Sequence, residues 1–432
     1  MTTWVMVLAA VPLLTVLVVV SLREPLLIAL PLYTALIPFG GALSVGSSPF
    51  ASASSVMGLL LAAGLALRLA TGPRPTVRVT AAVPIWILFL SLAAATTLWS
   101  VDRAATLSGL AVLASLIVVF LLVTLSHSDH TIVRRTENAL LLGSAVAVGH
   151  GIFQIAFGGG LADDSGAVIA EGGRLGNGLV GPNILAVTLL IPFAISVNRT
   201  FNPRDPGRPL PHGLVAALML AGILMTGSRT GVLGAAVVAL AVMWVAPRGA
   251  RRGMALAFLP AAAAAAFVWT THPFGIADRS FESATSSSGR LDIWEVGLAA
   301  CTNYCGYGSG WGTFPNVYAD TQASVPGARV LRGEEGSYQA HNLWLLVSVE
   351  LGVVGLALFS LGLVACAVAA FRLPVEHRVS AVGAVVGLTV GVFLLSSLEF
   401  KMFWLVLMLV ALYRNAARDE ETESVGQLAA PR

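Results

Sequence analysis

One lysine, Lys401, is all that a chain of 432 residues contains, and charged residues of every kind make up only 11% of it. Soluble domains carry roughly a quarter. A chain this poor in charge cannot clothe a water-facing surface, so lipid must be its main solvent. The shortage of lysine has a second consequence: no glycine-rich run is followed by Lys-Ser or Lys-Thr, which excludes a nucleotide-binding P-loop. Three cysteines are too few for a disulfide framework. Cys366 lies in an apolar run. Cys301 and Cys305 stand four apart and leave two readings open, a short-loop disulfide in an oxidising compartment or two free thiols. The chain has no H-E-x-x-H, no Asp-x-Asp and no G-x-S-x-G pattern, and Asp163-Asp164 is only a dipeptide. Those patterns would have pointed to zinc, carboxylate-held metal or serine-hydrolase chemistry, and no metal or other cofactor is expected. The net charge of +3 is spread over many short connections and offers nucleic acid no patch.

What the chain has is apolar length. Hydrophobic residues reach 56% and the mean hydropathy is +0.84, while crossing the hydrocarbon core takes roughly 20 mostly apolar residues. Spans are accordingly expected near 4–20, 25–39, 56–70, 80–98, 105–126, 138–157, 179–197, 212–227, 230–246, 252–270, 342–371, 379–396 and 400–413, twelve or thirteen in all. The first lacks a basic flank and a small-residue cleavage site, so it reads as a retained span rather than a cleaved signal. Arginines cluster in every second connection: Arg68, Arg74 and Arg78; Arg134 and Arg135; Arg199, Arg204 and Arg208; Arg248, Arg251 and Arg252; Arg372 and Arg378. Arginine near span ends marks the cytoplasmic side, so connections 40–55, 158–178 and 271–341 are expected to face outward. The expected fold is an all-α polytopic membrane protein with one integral membrane domain over 1–413. Its long extracytoplasmic loop, 271–341, is inserted between spans. A disordered cytoplasmic tail is expected over 414–432, with Arg418 and the acidic run Asp419, Glu420 and Glu421. No internal repeat of fixed period appears, and no matching pair of interrupted spans.

Ionisable groups at the edge of a membrane are the candidates for chemistry. Arg229 stands in Thr226-Gly227-Ser228-Arg229-Thr230-Gly231, a turn of a few residues between two apolar stretches. Its planar, permanent, bidentate charge suits a phosphate or diphosphate; an arginine that merely anchors on lipid phosphates fits the same position. In the long loop, Arg290 opens an amphipathic helix with Leu291, Trp294 and Leu298 on one face. The glycine-rich run Gly306 to Gly312 follows, a weak phosphate signal that a surface loop with aromatic anchors explains as well. The loop ends in Ala340-His341-Asn342, directly before an apolar span. A histidine there can take a proton from a sugar hydroxyl near neutral pH, or can simply cap the helix. Company favours the first role, because His341, Arg290 and Arg229 all fall on the side expected to face outward.

These motifs resemble those of the O-antigen ligase and polymerase superfamily, polytopic membrane glycosyltransferases. The resemblance runs from about Trp99 to Trp404. It rests on Gly181-Pro182-Asn183, Ser228-Arg229, Arg290 with Trp294, the run Gly308 to Phe314, Ala340-His341-Asn342, and Glu350-Leu351-Gly352-Val353-Val354-Gly355. It implies a membrane glycosyltransferase architecture of the GT-C kind and a metal-independent transfer at the outer face of the cytoplasmic membrane. The implied donor is a polyprenyl-diphosphate-linked saccharide, and the acceptor a saccharide, a lipid or a protein. Residue by residue, it carries the family's span-preceding arginine onto Arg229, its loop arginine onto Arg290, its loop histidine onto His341 and a further basic position onto Arg174. The expected site is therefore His341 with Arg229 and Arg290 as catalytic residues, and Arg229, Arg290 and Arg174 holding the diphosphate. A transporter or flippase of lipid-linked saccharide is the alternative, for which Glu350 and Glu399 are the main charged candidates in the apolar stretches. A non-catalytic scaffold is another.

Overall fold

The computed structural model describes residues 2–40, 43, 48, 50–72, 80–157, 175, 181–202, 209–271, 290–326, 339–393 and 398–429. Among these residues the chain forms fifteen α-helices and no β-strand: α1 (Thr2–Arg23), α2 (Leu30–Leu36), α3 (Ala53–Thr71), α4 (Ala82–Ala95), α5 (Arg103–Thr124), α6 (His130–Phe157), α7 (Pro182–Phe201), α8 (Pro209–Met225), α9 (Arg229–Val245), α10 (Arg248–Thr271), α11 (Arg290–Tyr304), α12 (Phe314–Thr321), α13 (Leu343–Phe371), α14 (Val375–Val392) and α15 (Lys401–Ala429). In lipid every backbone polar group must be satisfied within the segment, which makes helices the natural outcome of these apolar runs. Five of the helices, α3, α5, α7, α13 and α14, are individually long and apolar enough to cross a membrane; Ala82–Leu98, α8 and α9 are shorter apolar helices. The protein is an all-α polytopic membrane protein.

The stretch near 25–39 is not a straight span. Pro12–Arg23 and Pro25–Phe39 meet at 117°. Pro25 brings no N–H to continue the helix, and Glu24 turns aside to pair with Arg68 of α3 at 2.7 Å. The two N-terminal apolar stretches are thus sharply bent against each other, as a broken span or a re-entrant loop would be.

The interior of the bundle is α7 and α14. Every residue of α7 from Leu185 to Asn198 is buried, and α8, α9 and α14 pack around it. Small residues permit that approach: a Cβ added at Gly383 of α14 would lie 2.6 Å from Ala194 Cβ of α7. An aromatic column joins α4, α13 and α15. Trp86 meets Phe359, Phe403 and Trp404 edge-on at 6.3, 5.8 and 5.0 Å, a geometry in which each pair adds about 1 kcal/mol beyond its buried area.

The end of the bundle away from His341 is closed by a polar network. Arg199 of α7 donates to Glu137 of α6 at 3.0 Å, and Tyr413 of α15 donates to the other oxygen of that carboxylate. Beyond Tyr413 the chain continues as helix past Arg414. Helix α15 runs on to Ala429, Asn415, Ala416 and Ala417 are buried, and Asn415 Nδ2 donates to Ser126 O at 3.1 Å. Two residues of the acidic run find neighbours far off in sequence, with Asp419 3.2 Å from His127 and Glu420 2.8 Å from His130.

Candidate functional site

The glycine-rich run determines the architecture of the segment that leads into α13. Gly308, Gly310 and Gly312 have φ of +87°, +116° and +78°, and Gly352, inside α13, has +68°. L side chains rarely adopt such backbone, and glycine does so freely. At Gly352 the helix is broken, and the run from residue 308 is threaded into the break. Ser309 N–H donates to Val349 O at 2.9 Å, Gly310 N–H to Glu350 O at 3.0 Å, and Val353 N–H to Cys305 O at 2.8 Å. The Glu350 carboxylate accepts the N–H groups of Gly312 and of Phe314, the latter at 3.0 Å. Residues before α5 close the other side: Val101 N–H donates to Ser309 O at 2.9 Å and Trp99 Nε1 to Gly308 O at 3.2 Å. Trp311, 3% exposed, stacks edge-on to Phe89 at 5.9 Å.

With the amides of 309, 310, 312 and 314 all donating to the protein itself, the run is a buried plug and not a phosphate cradle. Glu350 was visible in the sequence only as a carboxylate in an apolar stretch. Its role, accepting the peptide N–H groups of Gly312 and Phe314 at the entry to α12, is one that sequence reasoning missed. A buried N–H left unmet costs roughly 1–3 kcal/mol. The signal available was glycine at every second position from 308 to 312 together with Gly352.

Helix α11 packs on α13 through Ile293, Val296, Gly297 and Ala300, close enough that a Cβ at Gly297 would lie 2.7 Å from Leu345 Cδ2. Leu291 and Leu298 are the exposed side of the helix, so its apolar residues serve two faces, with the side expected from 291, 294 and 298 pointing away from α13. Trp294 is the exception on that side; its Nε1 donates to Ala340 O at 3.0 Å, which ties the first turn of α11 to the residue before His341. Cys301 and Cys305 are joined in a disulfide at the end of the same helix.

His341 is the sole non-glycine with positive φ among the described residues, at +48°. That turn delivers the chain to Asn342, whose Oδ1 accepts the N–H groups of Trp344 and Leu345 at 2.9 and 3.2 Å and so caps α13. Strained backbone of this kind persists where the surroundings over-determine it, often at functional sites. The His341 imidazole is held below the usual histidine range, first by burial and second by the positive charge of Arg290. Burial draws Arg290 down as well. The structure thus brings together two of the four expected residues, Arg290 and His341, the positive charge of the first bearing on the imidazole of the second.

Arg229 opens α9, with Ser228 as its cap, accepting from Gly231 N–H at 3.2 Å. Its level in the bundle follows from two contacts. A Cβ at Gly234, one turn on, would lie 3.1 Å from Val390 Cγ1 near the end of α14, and Phe393, just past that end, meets the Trp344 ring at 6.3 Å. Arg229 and His341 therefore share one end of the helix layer. Arg174 lies outside the described residues. Its neighbour Leu175 is buried and donates its N–H to Met225 O at 2.8 Å, beside the turn that leads to Arg229.

Residues 214–360 match the family model described as O-antigen ligase. This part of the chain is similar to the O-antigen ligase family. The matched region extends from α8 to the middle of α13, so it contains Arg229, Arg290, the plug, His341 and the break at Gly352, and leaves Arg174 outside. The match agrees with the resemblance of the motifs and supports a membrane enzyme in lipid-linked polysaccharide assembly. No curated protein matches the chain.

Proposed function

We propose that the protein transfers or polymerises a polyprenyl-diphosphate-linked oligosaccharide at the outer face of the bacterial cytoplasmic membrane, without a metal and with inversion. The observation that carries this reading is the pairing of Arg290 with a neutral, strained His341 at the mouth of α13, inside the matched region. The donor already has a good leaving group, so the enzyme must chiefly stabilise departing diphosphate and remove one proton. An acceptor hydroxyl oxygen attacks the anomeric carbon as the bond from that carbon to the diphosphate oxygen breaks. The hydroxyl proton passes to His341, and polyprenyl diphosphate leaves. Arg290 and Arg229, with Arg174 as a further candidate, take up the developing charge that a metal would otherwise hold. Of the two carboxylates open to the transporter alternative, Glu350 and Glu399, Glu350 already accepts the Phe314 N–H at 3.0 Å.

The test is reconstitution in liposomes with a polyprenyl-diphosphate oligosaccharide, an acceptor and a chelator. Expected are release of polyprenyl diphosphate, a product of inverted anomeric configuration and full rate in the chelator. Oligosaccharide crossing the bilayer without bond transfer would overturn the reading. In the same assay Arg229→Gln is expected to lower kcat by about 10²-fold, the scale of losing one transition-state donor. The saccharide that accumulates on its carrier after gene deletion then separates polymerase, which leaves single units, from ligase, which leaves finished chains.

The outward placement has a test of its own. Disulfides persist in oxidising compartments, so a membrane-impermeant reductant followed by an impermeant maleimide is expected to label Cys301 and Cys305 on intact cells, and Cys366, buried in α13, not at all. Labelling that appears only after the cells are opened would reverse the orientation.

A further inference from the structure

A side-chain hydrogen bond reaches from the first turns of α11 to the residue before His341. Trp294 Nε1 donates to the Ala340 carbonyl at 3.0 Å, across 46 residues of chain. That oxygen belongs to the same planar peptide as the His341 N–H, so the bond restrains the orientation of the peptide from which His341 sets out. Asn342 restrains the other side, because its Oδ1 accepts the N–H groups of Trp344 and Leu345 at 2.9 and 3.2 Å. Between these two anchors His341 holds φ +48°, a backbone unfavourable to a residue with a Cβ and kept where neighbours impose it.

The same indole also bears on the cation. Arg290 opens α11 and Trp294 stands one turn on, so the two share a face of the helix. The positive charge of Arg290 acts on the His341 imidazole. Helix α11 is itself held by buried Ile293, Val296, Gly297 and Ala300, with a Cβ at Gly297 lying 2.7 Å from Leu345 Cδ2 of α13. Packing fixes the helix, and the indole bond fixes the end of the loop to it.

We propose that Trp294 is a positioning residue whose indole N–H, by holding the peptide between Ala340 and His341, keeps the His341 imidazole beside Arg290. Its value for transfer rests on the reading of His341 as the base; the placement itself does not. Trp294 contributes geometry, and the proton goes to His341.

The test takes the full chain in nanodiscs with its 7 histidines isotope-labelled in the ring for NMR. The His341 signal is the one lost in His341→Asn, and its titration midpoint is read without substrate. Trp294→Phe keeps a ring and deletes the N–H. Trp294→Gln keeps an N–H at the same number of bonds from Cβ and deletes the ring. In Trp294→Phe the midpoint is expected to rise toward 6.5, because an imidazole released from the anchored peptide loses part of the burial and part of the Arg290 charge that lower it. In Trp294→Gln it is expected to stay near the wild-type value. For transfer, kcat is expected to fall about 10²-fold in Trp294→Phe, the scale of a misplacement of about 1 Å, with KM little changed. An unmoved midpoint in Trp294→Phe, or a raised one in Trp294→Gln, would overturn the proposal; the second result would show that the ring and not its N–H holds the site. A raised midpoint in Trp294→Phe with undiminished transfer would support the placement and overturn instead the base assigned to His341.

Discussion

Replacing His341 by asparagine is expected to reduce saccharide transfer by about 10²–10⁴-fold, the contribution of a positioned general base, while the protein still inserts and folds. Asparagine is the informative substitution because residue 341 has φ +48°. Asn tolerates left-handed backbone, whereas alanine would add strain at the entrance to α13 and confuse loss of chemistry with loss of structure. The pH profile supplies the second reading. Burial, and then the charge of Arg290, hold the imidazole below its ordinary 6.5. His341 is therefore neutral and able to accept a proton at neutral pH, and loses that ability only as pH falls through its lowered pKa. The acid limb of kcat/KM is expected to lie below 6.5 in the wild type and to move up toward it in Arg290→Gln, because one of the two depressing causes is then gone. Full transfer by His341→Asn, or an acid limb indifferent to Arg290, would remove the base from the mechanism.

The largest effect on stability is expected at the plug. Gly308→Ala would place a Cβ 2.4 Å from Glu350 O, and Gly352→Ala one 2.8 Å from Gly306 O, each at a positive φ that alanine resists. Backbone atoms cannot step aside as a flexible side chain can. Each change is expected to cost more than about 3 kcal/mol, since strain and close contact with main chain act together, and to appear as a lowered unfolding temperature in detergent. Gly306→Ala is the control within the same run. A Cβ there meets nothing within 4 Å, and the expected change is within about 0.5 kcal/mol. If all three glycines behaved alike, the threading of this run through the α13 break would be wrong.

Much of this was open to reading in the chain itself. Apolar length and arginine alternation gave the helices, because crossing lipid requires each segment to satisfy its own backbone within a run of adjacent residues. Arg290 at the start of one helix and His341 before the next were likewise legible, since caps and helix starts depend on near neighbours. The plug was not. Phe314 and Glu350 are 36 residues apart, and Trp99 and Gly308 are 209 apart, so nothing local shows that the amides of a glycine-rich loop are consumed by a broken helix. The same distance problem hid the neighbours of the acidic run on α15, His127 just before α6 and His130 at its start.

By itself, then, the sequence determined that this is an all-helical membrane protein with its ionisable candidates gathered in the segments around Arg229, Arg290 and His341, and it carried the motifs of the O-antigen ligase superfamily. Only the tertiary structure decided that Cys301 and Cys305 are bonded, that α11 turns Ile293 and Val296 rather than Leu291 and Leu298 toward α13, and that Arg290 bears on His341. The physical reason is one of range. Hydropathy and helix capping act over a few residues and are written along the chain, whereas the partner of a buried amide, carboxylate or guanidinium is chosen by packing between helices distant in sequence.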